Sequence, residues 1–164
     1  VLLFSPTIIQ LGQDRGLTEN VAVLSIAIGS VASAFGRVLC PVISDKIGRK
    51  NMDIILLTSL GLLSIAFIFA QNIFVIVVYC MLTFCYSGEA AVIPSLATDL
   101  YGFSHSGVNY GLLALGMSVG SVGFPLLVTA FGGANEVRHI FAIAAAFLGV
   151  VVLLFLKPIQ GEKL

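Results

Sequence analysis

Two ionisable residues, Arg37 and Glu89, lie inside long apolar runs of a chain whose other charges fall in short polar segments. A guanidinium presents a planar fork of donors that matches both oxygens of a carboxylate, a geometry that lysine cannot copy. A carboxyl group in such a run serves either as a counter-charge or as a carrier of a proton. These residue types predict a binding site for a small organic anion, with Glu89 balancing its charge or supplying a proton.

The composition explains why these two residues stand out, since it is that of an integral membrane protein. Apolar residues make up 59% of the chain and charged residues 10%, whereas a soluble domain carries about a quarter charged residues. An ionisable side chain at bilayer depth costs at least ~2.5 kcal/mol on insertion scales, so its presence indicates a functional site. The net charge of zero gives no sign of a nucleic-acid partner.

Apolar runs long enough to cross a bilayer, which takes about 20 residues, follow one another along the chain. The predicted spans cover residues 20–44, 54–70, 73–98, 109–131 and 140–156. The shorter apolar piece 1–11 is predicted to be the end of a span whose beginning is missing, and 157–164 is predicted to be a polar tail. We therefore predict an all-α, polytopic membrane helix bundle and a chain that is a fragment of a longer protein.

The Lys and Arg residues of the connections predict the orientation of these spans, because cytoplasmic loops carry an excess of both. One side of the membrane has more of these basic residues than the other. The first side has Lys46, Arg49, Lys50, Lys157 and Lys163, and the second side has Arg15 and Arg138. We therefore expect the segment 45–53 and the C-terminal tail to be cytoplasmic, with the plasma membrane as the location.

The segment between the first two complete spans reads Asp45-Lys46-Ile47-Gly48-Arg49-Lys50. Gly48 permits a tight turn, and Asp45 can pair with basic groups of the next helix. Any short cytoplasmic loop collects Lys and Arg, but the order of residues here is much narrower than that requirement. It resembles the loop signature of the major facilitator superfamily, G-x-x-x-D-[RK]-x-G-[RK]-[RK], with Pro41 in place of the first glycine.

Three further stretches, 87–94, 99–102 and 107–111, resemble the tenth span, its following loop and the eleventh span of oxalate:formate antiporter-like transporters. Gly36-Arg37 ahead of the loop signature resembles the eighth span of the same group and of its monocarboxylate-transporter relatives. The resemblance implies helix-packing roles for the motif positions Pro94, Gly107, Asn109, Tyr110 and Gly111.

The same resemblance implies that the chain is the C-terminal six-helix half of a major facilitator fold, from the end of the seventh span to the twelfth. Gly116 and Gly120 with Pro125 resemble instead an antiporter motif of the fifth span, which would make the chain the N-terminal half. Such echoes are expected because the two halves are related by internal repetition. Residues 157–164 are more typical of the end of a chain than of the start of a long central loop, which favours the C-terminal half.

The depths of the two charges fit one shared site. Arg37 lies eight residues before Asp45, and Glu89 lies ten residues before Asp99. At 1.5 Å per residue these positions are ~12 and ~15 Å from the same side of the membrane. In the resembling families an arginine of the eighth span binds the substrate carboxylate, and Arg37 matches that arginine in position.

Each candidate also has a structural interpretation. Arg37 could pair with Glu89 or with helix carbonyls, and Glu89 could be a neutral or backbone-bonded glutamate. Tyr86, the third candidate for substrate contact, either lines a cavity or belongs with Tyr79 and Thr83 to a stripe of interhelical hydrogen bonds.

The number of basic residues within the predicted spans limits the class of carboxylate that the site can bind. Oxalate transporters of the resembling family carry a lysine in the eleventh span, whereas residues 109–131 contain neither Lys nor Arg. With a single buried cation, a dicarboxylate would keep one charge unpaired in an apolar site, which is costly. A monocarboxylate such as formate, lactate or pyruvate is therefore favoured over oxalate.

The sequence shows no nucleophile–base pair, phosphate-binding glycine loop or metal-ligand spacing, so neither an enzyme nor a metal or cofactor is predicted. The predicted function is transport by alternating access, as an antiporter or a proton symporter. The expected partners are the lipid bilayer, the missing N-terminal half, the organic anion and a proton or counter-anion. The alternatives are a carrier of sugars, drugs or amino acids with a structural Arg37, and a truncated fragment without transport.

Overall fold

The computed structural model describes residues 18–132 and 135–155, which form α-helices joined by short connections. The helices are α1 (Glu19–Ile47), α2 (Arg49–Phe69), α3 (Ile73–Tyr101), α4 (Ser106–Ala130) and α5 (Asn135–Phe155). The described part contains no strand, so the predicted all-α bundle is confirmed. The predicted partial span 1–11 and the tail 157–164 lie outside the described residues.

Most of these helices are long and apolar enough to cross a membrane, namely α1 from Val23 onwards, α2, α3 and α4. The apolar stretch of α5 is shorter, His139–Phe155, but the 21 residues of the whole helix give it a length of ~31 Å, close to the thickness of the hydrocarbon core. α1 and α3 have 29 residues each and run past the predicted spans, because a helix can continue into the polar interface where charged side chains are solvated.

The connection between α1 and α2 is a turn at Gly48, and most of the basic segment 45–53 is helical. Gly48 has a φ of 92°, a conformation that residues with a Cβ atom rarely adopt. Its N–H donates to the Ser44 carbonyl at 2.9 Å, and its carbonyl accepts the Met52 N–H at 3.0 Å. One glycine therefore ends α1 and starts α2, which keeps the charges on either side of it close together.

α1 and α3 approach each other closely along small residues. Gly36 lies against the Phe84 carbonyl and Gly88 against the Cys40 side chain, so closely that a Cβ atom on either glycine would overlap with the neighbouring helix. The hydroxyl groups of Ser33 and Ser87 share a hydrogen bond of 2.5 Å. Close backbone approach and interhelical hydrogen bonds stabilise helix pairs in membranes, so α1 and α3 form a well-packed pair.

α2 and α4 differ in how they pack. α2 contacts both α3 and α5, and it contributes Leu56, Leu60 and Phe67 to the buried apolar clusters. α4 contributes only Val128 as a buried residue within the described part. α4 therefore lies at the margin of the bundle, where it closes one side of a cavity.

Candidate functional site

A cavity of about 310 Å³ lies between α2, α3, α4 and α5. Its polar lining consists of Ser64, Tyr86, Glu89 and Ser121, and the rest of its described lining is apolar. Apolar walls with a few polar groups are typical of sites for small molecules, and this volume is at the lower end of their size range.

Glu89 is the charged residue of this described lining. α3 carries it one helical turn after Tyr86, so that both side chains reach the cavity. Glu89 is half-buried, and within residues 18–132 and 135–155 it forms no hydrogen bond or ion pair. Its carboxyl oxygens are therefore available for a proton, a hydroxyl group or a cation.

Arg37 lies outside this cavity, on the exposed surface of α1. Small residues on the adjoining face of α1, Ser33 and Gly36 among them, contact α3, and Arg37 lies at the edge of that face. In the part of the chain that the structure describes, Arg37 forms no ion pair with Glu89. Both charged side chains nevertheless interact electrostatically with Tyr86, which places that phenol in the field of both.

The close contact of α1 with α3 sets the level of the two charges. The Cys40 side chain and the Gly36 carbonyl of α1 are the nearest atoms to the position that a Cβ atom would take on Gly88. Arg37 follows Gly36 in the chain, and Glu89 follows Gly88. The two charges therefore leave their helices at a similar height, as the residue counts predict.

The loop signature forms an ion-pair network where α1 and α3 end and α2 begins, a region called here the Gly48 end. Arg49 Nη1 donates to Asp99 at 2.5 Å, and Arg49 Nη2 donates to Asp45 at 3.3 Å. Lys50 Nζ donates to the Leu154 carbonyl at 3.4 Å, which ties α5 to the same end. These side chains join the ends of four helices.

The other motif positions lie away from the cavity. Lys46 is exposed in the last turn of α1, and Pro94 is half-buried inside α3. The start of α4 carries Gly107, Asn109, Tyr110 and Gly111. Both glycines have open space where a Cβ atom would point. The helix-packing role of these positions stays a prediction.

Sequence reasoning missed Asp53, which it assigned to the polar connection beside the basic residues. The Asp53 side chain is 4% exposed, and its Oδ1 atom has no hydrogen-bond partner among the described residues. It lies on the face of α2 that carries Leu57, Leu60 and Ser64, which line the cavity. The available signal was their spacing of four, seven and eleven residues, which puts all four side chains within about 60° around the helix.

Comparison with known proteins agrees with this architecture. The family model described as the Major Facilitator Superfamily matches residues 2–163. Apolar helices of membrane-spanning length, together with this match, make the chain an integral, multi-pass membrane protein of a transporter family.

Curated relatives match at low identity. The chain is 26% identical over 100 residues to the uncharacterized MFS-type transporter YhjX of Escherichia coli K12, covering 60% of the chain and 25% of that protein. It is 30% identical over 152 residues to the aspyridones efflux protein apdF of Emericella nidulans, covering 85% and 30%. It is 25% identical over 167 residues to the oxalate:formate antiporter of Oxalobacter formigenes, covering 98% and 40%.

The chain thus spans two fifths or less of the length of these relatives. The family match extends over nearly all of its residues, and the described residues form the helical bundle that such a match requires. On this evidence the chain belongs to the Major Facilitator Superfamily of transporters.

Proposed function

We propose that this chain is part of a secondary transporter that moves a small organic anion across a membrane by alternating access. The observation that carries the proposal is Glu89, a carboxyl group within a membrane-spanning helix that lines a cavity and has no bonding partner in the described structure. Ionisable groups at such depth are costly and are kept where they act on a substrate or an ion.

Arg37 is proposed to bind the carboxylate of the anion through two parallel N–H donors. Its guanidinium is exposed and forms no hydrogen bond within the described ranges, so its donors are available to a ligand. The resemblance of the Gly36-Arg37 region to the eighth span of monocarboxylate transporters supports the same role. In the complete transporter, the exposed side of α1 would face the pathway between the two halves.

Glu89 is proposed to carry a proton and not to serve as the resting partner of Arg37. The support is that Arg37 and Glu89 form no ion pair with each other in the described structure. Both interact electrostatically with Tyr86, which lies near them. A carboxyl group that is unpaired in an apolar cavity can take up and release a proton without breaking a salt bridge.

A monocarboxylate such as formate, lactate or pyruvate is proposed as the substrate in preference to oxalate. Glu89 is the single charged side chain of the described cavity lining, and the sequence of α4 holds no Lys or Arg that could pair with a second carboxylate. The similarity to a protein named oxalate:formate antiporter supports a small carboxylate of this class.

A second candidate is the export of a larger, mainly apolar organic molecule. It is favoured by the predominantly apolar lining of the cavity and by the similarity to a protein named for aspyridones efflux. In that case Arg37 would have a structural role in the complete transporter.

The arrangement of the complete protein is also part of the proposal. The chain would form its C-terminal half, with the Gly48 end in the cytoplasm of a plasma-membrane protein and a proton or counter-anion as the coupled species. The excess of Lys and Arg around Gly48 supports this orientation.

The proposal is tested with the complete transporter in proteoliposomes. Uptake of labelled formate, lactate, pyruvate and oxalate is measured with and without a pH gradient, beside an apolar organic compound. Arg37→Lys should abolish uptake of the anions at preserved expression, because one ammonium group cannot form the two parallel bonds of a guanidinium. Val38→Ala, at the neighbouring position with a 64% exposed side chain, is the control.

Two outcomes would contradict the anion proposal. Unchanged uptake kinetics in Arg37→Lys would exclude the carboxylate-binding role. Transport of the apolar compound without transport of any carboxylate would favour the second candidate.

A further inference from the structure

Asp53 is a buried ionisable group that the transport scheme above does not use. Its side chain is 4% exposed, and its Oδ1 atom has no hydrogen-bond partner among the described residues. A carboxylate that is buried without a hydrogen bond or a cation is costly, whereas the acid form of the same group avoids most of that cost. Its environment therefore favours the form that holds a proton.

The cations nearest to Asp53 along the chain are bound to other groups. Arg49 precedes Asp53 by one helical turn, and its guanidinium is bound to Asp45 of α1 and Asp99 of α3. Lys50 donates to a carbonyl of α5. In the described part of the chain, neither cation forms an ion pair with Asp53.

The helices packed around α2 carry a limited set of titratable or charged side chains in their described parts. They are Arg37, Cys40, Asp45 and Lys46 on α1, Tyr79, Cys80, Cys85, Tyr86, Glu89, Asp99 and Tyr101 on α3, and His139 on α5. Arg37, Lys46 and Tyr101 are exposed, and Tyr79 and Cys80 lie near the start of α3, away from the Gly48 end. His139 belongs to the opposite end of the bundle, because the other end of α5 packs Leu153 against Leu96 and Leu100. Glu89 is therefore the group that can exchange a proton with Asp53 on the side of the cavity.

The position of Asp53 links the cavity to the Gly48 end. It precedes Leu57, a residue of the cavity wall, by one turn, or ~6 Å along the axis. Glu89 lies ~9 Å further from the Gly48 end than Asp53, by the residue counts from Asp99 and Arg49. The two carboxyl groups interact electrostatically, so that a state with both of them charged is disfavoured.

We propose that Asp53 is a proton-binding site of the transporter, which holds a proton between the cavity and the Gly48 end and exchanges it with Glu89. In the exchange, the O–H bond of Asp53 breaks and an O–H bond forms at Glu89, with water in the cavity carrying the proton across the gap. The pair keeps one proton and one negative charge throughout. The coupling to transport rests on the proposed function, whereas the proton on Asp53 does not.

The proton itself is tested by infrared difference spectroscopy of the complete protein in lipid at neutral pH, which needs no substrate. Wild type should show the carbonyl band of a carboxylic acid that Asp53→Asn removes and Asp53→Glu retains in shifted form. The asparagine variant should keep the melting temperature of wild type, since an amide is isosteric with the acid form. Loss of a carboxylate band in Asp53→Asn, or failure of that variant to fold, would overturn the proposal.

The coupling is tested by uptake into proteoliposomes under an imposed pH gradient. Asp53→Asn should lose the stimulation of anion uptake by the gradient, and Asp53→Glu should keep it. Full stimulation in Asp53→Asn would overturn the coupling. If wild type transports no carboxylate, the proposed function fails, while the infrared result still decides whether Asp53 holds a proton.

Discussion

Charged side chains of the same helices are paired at the Gly48 end and unpaired, within the described residues, at the level of the cavity. At the Gly48 end, Arg49 is bound to both Asp45 and Asp99. About two to three helical turns away, Arg37 and Glu89 form no ion pair within the described residues. Each level combines an arginine with a carboxylate on neighbouring helices, so residue type alone does not explain the difference.

The difference follows from the surroundings of each level. The side chains of the Gly48 network are 30% to 64% exposed, where an ion pair costs little to form and contributes little. At the level of the cavity, Arg37 is also exposed, whereas Glu89 is half-buried among apolar side chains, where a charge without a partner is costly. We therefore propose a ligand role for the unpaired Glu89 and a structural role for the paired charges at the Gly48 end.

The largest effect is expected from Glu89→Gln, which removes the unpaired carboxyl group at the level of the cavity. The variant should lose proton-driven uptake in the complete transporter, because the amide cannot carry a proton between the two sides. Its melting temperature should stay that of wild type, because the carboxyl group has no bonding partner in the described structure. A lower melting temperature with normal uptake would reverse the assignment and make Glu89 structural.

An intermediate effect is expected at the close contact between α1 and α3, which sets Arg37 and Glu89 at a similar height along their helices. Gly36→Ala should destabilise the protein by ~1–3 kcal/mol, as overpacking does, because the added Cβ would overlap with the Phe84 backbone. Gly111→Ala is the matched control, since it adds the same atom in open space. It should be neutral or stabilising by up to ~1 kcal/mol. Thermal unfolding of both variants in detergent measures the difference, and equal melting temperatures would contradict the close contact.

The smallest effect is expected at the Gly48 end. A double-mutant cycle of Arg49→Gln and Asp99→Asn should give a coupling energy of ~0.2–1 kcal/mol, as for other exposed ion pairs, and the coupling should fall at high salt. Denaturation of the single and double variants at low and high ionic strength measures it. A coupling of several kcal/mol that is insensitive to salt would mean that this end is buried in the complete protein.

Much of the fold is predictable because a membrane-spanning helix is defined by its own apolar length. Residue counts also give the common height of Arg37 and Glu89, since the rise per residue is constant. Which side of each helix contacts protein and which contacts lipid is harder to predict. Both surroundings are apolar, so both favour apolar residues in the sequence. The exposed position of Arg37 and the contact between Arg49 and Asp99 depend on which side of each helix contacts protein.

The burial of Asp53 is likewise hard to predict from the sequence. In the sequence it adjoins a basic cluster and is naturally assigned to a solvated loop. Gly48, however, starts α2 five residues earlier than the apolar run suggests, and this turns Asp53 into a helical residue on the face that packs inwards. The burial of one carboxyl group thus depends on where a single glycine ends one helix and begins the next.

The contact of Gly36 with the Phe84 carbonyl has a mechanical consequence. Side chains yield by rotating, but a glycine against a main-chain carbonyl leaves no compliant group between α1 and α3. These two helices should therefore move as one rigid body, with a constant separation between the Cα atoms of Arg37 and Glu89. Of the helices that line the cavity, α4 has the fewest buried residues in the described part, so a displacement of α4 would disrupt the least packing. Such a displacement would move one wall of the cavity and leave Glu89 in place on α3.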